Sequence, residues 1–360
     1  MINAISVIIP TFFLLLFGGL GPQREFIEIS GLILSLISIF YLYIKNKKIL
    51  LPYGFFYFVI FFLLAILSQI WSRNPQNGIE YLLLFASGGL YWLFFYNLKT
   101  NKKFLKIFGW SLIILGILFA TTYLVSVLLN QRLPWAFSLS APYTDNHHHL
   151  GDYWVLPFLF LLTKIMKEKK PVYLLLILVG ISILAFSLSR SSYVSLALGA
   201  FIVFHREISP KIKSALKAVT IFSVAIFLLA SLFKTTIYSR IYFLQGLAGI
   251  IQHPLGVGLG NFSTVSKELA ITFSNQAIFS SLAHNIFLEV LVGMGLLGIL
   301  FLYWYYKVGT NVLRGVSAKA LYRGIFFALS ANFFFDTTYV IPTMLWLWFV
   351  ALGLAQKSNA

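Results

Sequence analysis

Two arginines and one histidine lie within or beside apolar segments of the chain, where charged side chains are rare. Arg190 lies in FSLSRSSYV (186–194), between two strongly apolar segments, while Arg240 lies in a segment with helical apolar spacing and His284 opens a further apolar stretch. A charge at membrane depth is expensive and is usually kept for a function. Guanidinium groups match phosphate oxygens, and histidine can exchange a proton near neutral pH. The two arginines together suit the binding of a phosphorylated, di-anionic headgroup.

Each of these residues also fits a structural role. Arg190 can extend its charge to the membrane interface, and Arg240 can contact lipid headgroups from an interfacial helix. His284 can serve as a hydrogen-bonding residue at a helix end. These alternatives stay open on the residue types alone.

The composition places the chain among membrane proteins. Of its 360 residues, 59% are hydrophobic and only 10% are charged, and apolar runs long enough to cross a bilayer recur. We expect an all-α polytopic protein with one integral membrane domain over 1–360. The absence of cysteine excludes disulfides and thiolate metal sites. The apolar N-terminus has no basic start, so we expect a first span there and not a cleaved signal.

The hydropathy pattern predicts about twelve spans, at 4–20, 26–44, 51–71, 78–97, 104–129, 150–166, 171–188, 190–205, 214–233, 284–306, 318–336 and 338–356. Most of the 27 Lys and Arg residues then lie in connections on one side. The positive-inside rule makes that side cytoplasmic, with both termini inside. The net charge of +17 is therefore mostly topological, and no nucleic-acid partner is expected.

The opposite, outer side has two long segments, 130–150 and 234–283, and the tip of a hairpin at Arg190. Basic connections flank 172–204, so that stretch must cross outward and return. The first segment ends in three histidines, 147–149, which make a poor metal site because adjacent residues do not share a helix face. We expect His149 or Asp152 to line a cavity. We expect Asp336 to mark a turn, with a place facing the cavity as the alternative.

The second segment begins with an expected buried stripe of Ile237, Ile241, Leu244, Ala248 and Ile251, with Arg240 within or beside it. Alternating glycines follow at 256, 258 and 260. Their spacing is wrong for a dinucleotide-binding fingerprint. We expect a compact turn there, with a phosphate-binding nest as the alternative.

Three segments in order resemble the O-antigen ligase and O-antigen polymerase family of bacterial envelope glycosyltransferases: SLSRSSYVSLALG (187–199), SRIYFLQGLAGIIQHPLGVGLGNF (239–262) and AHNIFLEVLVGMGLLGIL (283–300). The resemblance covers roughly 180–300. It implies a C-type glycosyltransferase fold that uses no metal or other cofactor. The implied donor is a glycan on undecaprenyl pyrophosphate, presented at the periplasmic face of the inner membrane.

The resemblance also implies roles for particular residues. Arg190 and Arg240 would bind the donor pyrophosphate and, with His284 beside the acceptor, would form the catalytic group. His149, Asp152 and Asn285 would be further substrate-binding positions. The acceptor would be lipid A–core or a second lipid-linked glycan, and membrane lipids would surround the protein.

Three functions remain as hypotheses. A ligase transfers the whole glycan once to lipid A–core, and a polymerase joins lipid-linked repeat units. We favour the ligase because only one sizeable outer segment lies beyond the motif region. A transporter or flippase of lipid-linked sugars is the third hypothesis, but the two halves of the sequence show no convincing repeat, which such proteins often have.

Overall fold

The computed structural model describes residues 24–98, 102–129, 147–205, 237–273, 276–314 and 319–356, and these are mostly helical. The helices are α1 (Arg24–Asn46), α2 (Phe55–Leu67), α3 (Pro75–Asn97), α4 (Lys102–Leu129), α5 (His147–Glu168), α6 (Pro171–Ser187), α7 (Arg190–Phe204), α8 (Ile237–Gln252), α9 (Phe262–Glu268), α10 (Ile286–Met294), α11 (Ile299–Arg314), α12 (Ala320–Phe335) and α13 (Pro342–Gln356). Strands β1 (Ile271–Phe273) and β2 (Gln276–Ile278) pair antiparallel.

The prediction of an all-α membrane protein is confirmed. Four helical stretches in the described residues are long and apolar enough to cross a bilayer: Phe26–Asn46, Pro75–Asn97, Lys106–Leu129 and Ile286–Arg314. Six shorter apolar helices accompany them. The predicted spans 4–20 and 214–233 and most of the predicted loop 130–150 lie outside the described residues, so the total of twelve spans stays a prediction.

The predicted span 284–306 largely coincides with the candidate span Ile286–Arg314, within which a 3-10 turn, Gly295–Gly298, separates α10 from α11. Gly295 adopts a left-handed φ of 58°, which a glycine tolerates without steric cost. The glycine-rich segment packs onto this break. Gly258 N–H donates to Gly293 O at 2.8 Å, and Leu296 N–H donates to Pro254 O at 2.9 Å. The segment is thus the compact turn expected from the sequence.

The hairpin expected around Arg190 is present. Helices α6 and α7 are separated only by Leu188 and Ser189, and Leu188 has a left-handed φ of 49°. The Ser189 hydroxyl caps α7 by accepting a hydrogen bond from Ser192 N–H at 3.3 Å. Arg190 is therefore the first residue of α7, at the tip of the hairpin.

Helices α7 and α12 cross at small residues. A Cβ built on Gly199 would lie 3.0 Å from Ala328 Cβ and 3.1 Å from Gly324 O, so the two backbones are close. Small residues at such crossings allow membrane helices to approach and pack. The antiparallel crossing places the start of α7 beside the end of α12, where the polar residues described below gather.

The expectation that the apolar stripe on α8 is buried was wrong at two of its positions. Leu244 and Ile251 are 60% and 81% exposed, while Ile241 and Ala248 are half-buried. Gln245, about 100° around the helix from Leu244, is 3% exposed. Gln245 binds the carbonyl oxygens of Leu269 and Ile278, each at 3.0 Å. In a membrane protein apolar side chains can face lipid while small and polar residues make the helix contacts, which reverses the usual amphipathic pattern.

The α7–α12 crossing predicts a stability effect at Gly324. In Gly324→Ala the new methyl would lie 2.8 Å from Gly199 O, a backbone atom that cannot move aside. We expect a loss of about 1–3 kcal/mol of stability from overpacking, measured as a lower thermal unfolding midpoint in detergent. Gly309→Ala is the matched control, because its methyl would meet only Phe327 at an ordinary 3.8 Å. Equal midpoints for the two variants would contradict the close crossing.

Candidate functional site

Four titratable side chains gather at one end of the helix bundle. His149 and Asp152 lie in the first two turns of α5, and Asp336 follows α12. His284 lies two residues before α10 and interacts electrostatically with both Asp336 and His149. These residues come from distant parts of the sequence, and the hairpin tip at α7 lies among them.

The Asp152 carboxylate is buried and held by serines at the start of α7. Asp152 is 1% exposed. Its Oδ1 atom accepts hydrogen bonds from Ser189 Oγ at 2.9 Å, Ser191 Oγ at 2.9 Å and Ser192 Oγ at 2.6 Å. Three hydroxyl donors on one oxygen fix the carboxylate orientation. They also connect α5 to the tip of the α6–α7 hairpin.

Asp336 was expected to mark a turn, with a place facing the cavity as the alternative, and in the structure it joins this cluster. Its Oδ1 atom accepts the Thr337 N–H at 2.5 Å, a turn contact within the chain. Its Oδ2 atom lies 3.2 Å from Ser191 Oγ. Burial and the neighbouring Asp152 carboxylate raise the pKa of the Asp336 side chain, although His149 acts in the opposite direction. Asp336 therefore stabilises the turn after α12 and also contacts the polar cluster.

His149 faces both carboxylates. Its Nδ1 atom lies 3.6 Å from Asp152 Oδ2 and 3.9 Å from Asp336 Oδ1. His149 and Asp152 share a helix face because they are three residues apart. One ligand atom from each of His149, Asp152 and Asp336 lies within 4.8 Å of the others, so these side chains can hold a metal ion.

His284 has a constrained backbone and a stacked ring. Its φ of 53° lies in the left-handed region, which few non-glycine residues adopt. Its ring stacks on Tyr242 of α8, with centroids 5.4 Å apart and planes 18° from parallel. Burial lowers the pKa of the His284 imidazole, while the Asp336 carboxylate opposes this shift. The neutral imidazole is thus favoured, which is the form that accepts a proton.

Glu289 ties the His284 loop to the turn that contains Asp336. Its Oε2 atom accepts the Ala283 N–H at 2.9 Å and the Tyr339 hydroxyl at 3.0 Å. Ala283 directly precedes His284, and Tyr339 lies in the turn after Asp336. Sequence reasoning assigned no role to Glu289, because nothing near it in the chain indicates its partner.

The other three predicted site residues, Arg190, Arg240 and Asn285, lie in different surroundings. Arg190 is exposed, and it makes no ion pair with any residue that the structure describes. Arg240 lies in the first turn of α8, but its side chain is outside the described part of the protein. Asn285 is buried and its Oδ1 accepts the N–H groups of Phe287 and Leu288, so it caps α10.

The serine-rich run around Arg190 could have predicted the hydrogen bonds to the buried carboxylate. The run at 187–192 has four serines around Arg190, and such hydroxyls satisfy buried carboxylates. The i,i+3 spacing of His149 and Asp152 was a second signal, since it places both side chains on one helix face.

Comparisons with known proteins identify no family for this chain. No protein-family model matches the chain, and no curated protein sequence matches it. The family resemblance therefore depends on the motif residues themselves.

The N-cap geometry makes a prediction for Asn285. Asn285→Ala removes the acceptor for two N–H groups at the start of α10, so we expect a loss of about 1 kcal/mol and a lower thermal unfolding midpoint. Asn285→Ser keeps a capping oxygen and should restore most of the stability. If both variants melt like the unchanged protein, the side chain does not stabilise α10 and its substrate-binding prediction gains weight.

Proposed function

We propose that this chain is a membrane glycosyltransferase of the O-antigen ligase type. It moves a glycan from undecaprenyl pyrophosphate to lipid A–core at the periplasmic face of the bacterial inner membrane. The observation that supports this most strongly is the meeting of motif positions from distant segments. The hairpin tip with Arg190 and the loop with His284 reach one end of the bundle, together with His149, Asp152 and Asp336.

The proposed orientation follows from the charge distribution in the sequence. The basic connections face the cytoplasm under the positive-inside rule, with both termini inside. The end of the bundle that contains the hairpin tip then faces the periplasm. A flipped lipid-linked donor presents its pyrophosphate at that level, next to the exposed Arg190 at the start of α7.

The proposed reaction is an inverting glycosyl transfer. An acceptor hydroxyl oxygen attacks the anomeric carbon as the bond from that carbon to the pyrophosphate oxygen breaks. The electron pair leaves with the lipid pyrophosphate, and preorganised arginines stabilise the charge that develops there. The neutral His284 imidazole takes the hydroxyl proton or orients the hydroxyl. On this mechanism the resemblance requires no metal in the transfer step.

The polymerase and transporter hypotheses make different predictions about products. A polymerase uses the same donor and the same charged residues, but its acceptor is a second lipid-linked repeat. A transporter leaves the glycosidic bond intact. The clustering of the polar residues at one end of the bundle favours an enzyme, because transport sites usually lie near the middle of the bilayer.

The experiment that tests the proposal is a reconstituted transfer reaction. Purified protein in detergent receives an undecaprenyl pyrophosphate-linked repeat together with lipid A–core, and the products are separated by gel. A single shifted core band supports the ligase. A ladder that forms without the core identifies a polymerase. No product from folded, donor-binding protein would overturn the enzyme proposal in favour of transport.

Arg190 provides the sharpest variant test. Arg190→Ala removes an exposed guanidinium that makes no described ion pair, so we expect a loss of at least about 100-fold in transfer rate with little change in stability. Arg73→Ala is a matched control, since Arg73 is also exposed and its ion-pair partner among the described residues is the surface residue Glu268. Removing that pair should change stability by at most about 1 kcal/mol. Equal activity of the two variants would exclude Arg190 from the proposed site.

A further inference from the structure

The cluster of His149, Asp152 and Asp336 has the spacing of a metal site. The His149 Nδ1 atom lies 3.6 Å from Asp152 Oδ2 and 3.9 Å from Asp336 Oδ1, and all three ligand atoms lie within 4.8 Å of one another. Zinc–nitrogen and zinc–oxygen bonds are about 2.0–2.2 Å, so two ligand atoms of one tetrahedral ion lie roughly 3.3–3.6 Å apart. The 3.6 Å separation matches this spacing, and the 3.9 Å separation must shorten by a few tenths of an ångström when an ion binds.

Unpartnered atoms give a second, independent indication. His149 Nδ1 and Asp152 Oδ2 have no hydrogen-bond partner among the described residues, although His149 is only 8% and Asp152 only 1% exposed. Their separation of 3.6 Å is too long for a hydrogen bond. Buried polar atoms are rarely left without a partner because this costs free energy. A cation between them would satisfy both.

Neighbouring groups orient the proposed ligands. Three serine hydroxyls occupy Asp152 Oδ1, which leaves Oδ2 facing His149. At Asp336 the Thr337 N–H binds Oδ1, the oxygen that faces His149, and so fixes its position. Metal ligands in proteins are usually positioned by hydrogen bonds of this kind from residues outside the coordination sphere. The cluster therefore has the supporting contacts of a built site.

The local charge also favours a cation. Ser191 Oγ contacts both Asp152 Oδ1 and Asp336 Oδ2, but its single proton can be donated to only one carboxylate at a time. Neither acid forms an ion pair with a Lys or Arg in the described parts of the chain. Among the described residues, the two histidines His149 and His284 are thus the only cationic side chains that act on these acids.

We propose that His149, Asp152 and Asp336 bind one divalent transition-metal cation of the Zn²⁺ type. One imidazole and two carboxylates suit this class better than Mg²⁺ or Ca²⁺, which prefer oxygen ligands alone. The ion ties the start of α5 to the turn after α12, with α7 connected through its serines. This role is independent of the proposed glycosyl transfer, and it departs from the metal-free expectation that the resemblance implies.

The test uses the full chain in detergent, without a polyhistidine tag, stripped with a chelator and then equilibrated with Zn²⁺, Mn²⁺ or Mg²⁺. After gel filtration, elemental analysis should find about one retained Zn²⁺ per chain. Zn²⁺ should also raise the thermal unfolding midpoint, because it binds the folded state. Mg²⁺ should do neither. Both readouts are independent of transfer activity, so this proposal and the proposed function can fail separately.

Variants separate the proposed site from incidental binding by the three-histidine run. His149→Ala and Asp336→Asn should each lose the retained ion, whereas the double variant His147→Ala/His148→Ala should keep it. Ser189→Ala should keep every ligand but weaken binding about 10-fold through lost orientation. Should His149→Ala not fold, Asp336→Asn decides alone, because it preserves the shape of a partly exposed side chain.

Three results would overturn the proposal. If the unchanged protein retains no ion and no metal shifts its midpoint, the cluster is an ion pair of protonated histidine with carboxylate. If His149→Ala and Asp336→Asn bind as the unchanged protein does, the ion lies elsewhere. If only the His147→Ala/His148→Ala variant loses the ion, binding belongs to the neighbouring histidines.

Discussion

The buried carboxylate of Asp152 is the constraint on which this end of the molecule depends. A charged group at 1% exposure must find partners within the protein, because water cannot solvate it. It finds three hydroxyls at the start of α7, and one of them also reaches Asp336. The start of α5, the α6–α7 hairpin tip and the end of α12 are therefore held in one arrangement by a single polar contact group.

Helix packing makes this arrangement achievable. The glycine crossing between α7 and α12 lets those backbones approach, so Ser191 and Asp336 come within reach of each other across 145 positions in sequence. Glu289 provides a second tie, from the His284 loop to the turn at Tyr339. The relative position of Asp336 and His284 is consequently fixed by buried hydrogen bonds rather than by surface loops.

The sequence predicted the features that depend on local pattern. Apolar runs and basic connections are local, and they predicted the helices, the α6–α7 hairpin and the position of Arg190 at its tip. The buried face of α8 could not be predicted in this way, because lipid accepts an exposed Leu244 or Ile251 as readily as a protein core does. The partners of Asp336 and Glu289 were missed for another reason. Their distant side-chain partners, Ser191 and Tyr339, lie 145 and 50 positions away, beyond what residue spacing can indicate.

Charge is segregated within the candidate site. The acids Asp152 and Asp336 are occupied by serines, a backbone N–H and His149, while Arg190 is exposed on the neighbouring helix without a described ion pair. An arginine paired with a buried acid would have to lose that pair before it could bind an anionic substrate. Keeping the acids satisfied by other groups leaves the guanidinium available.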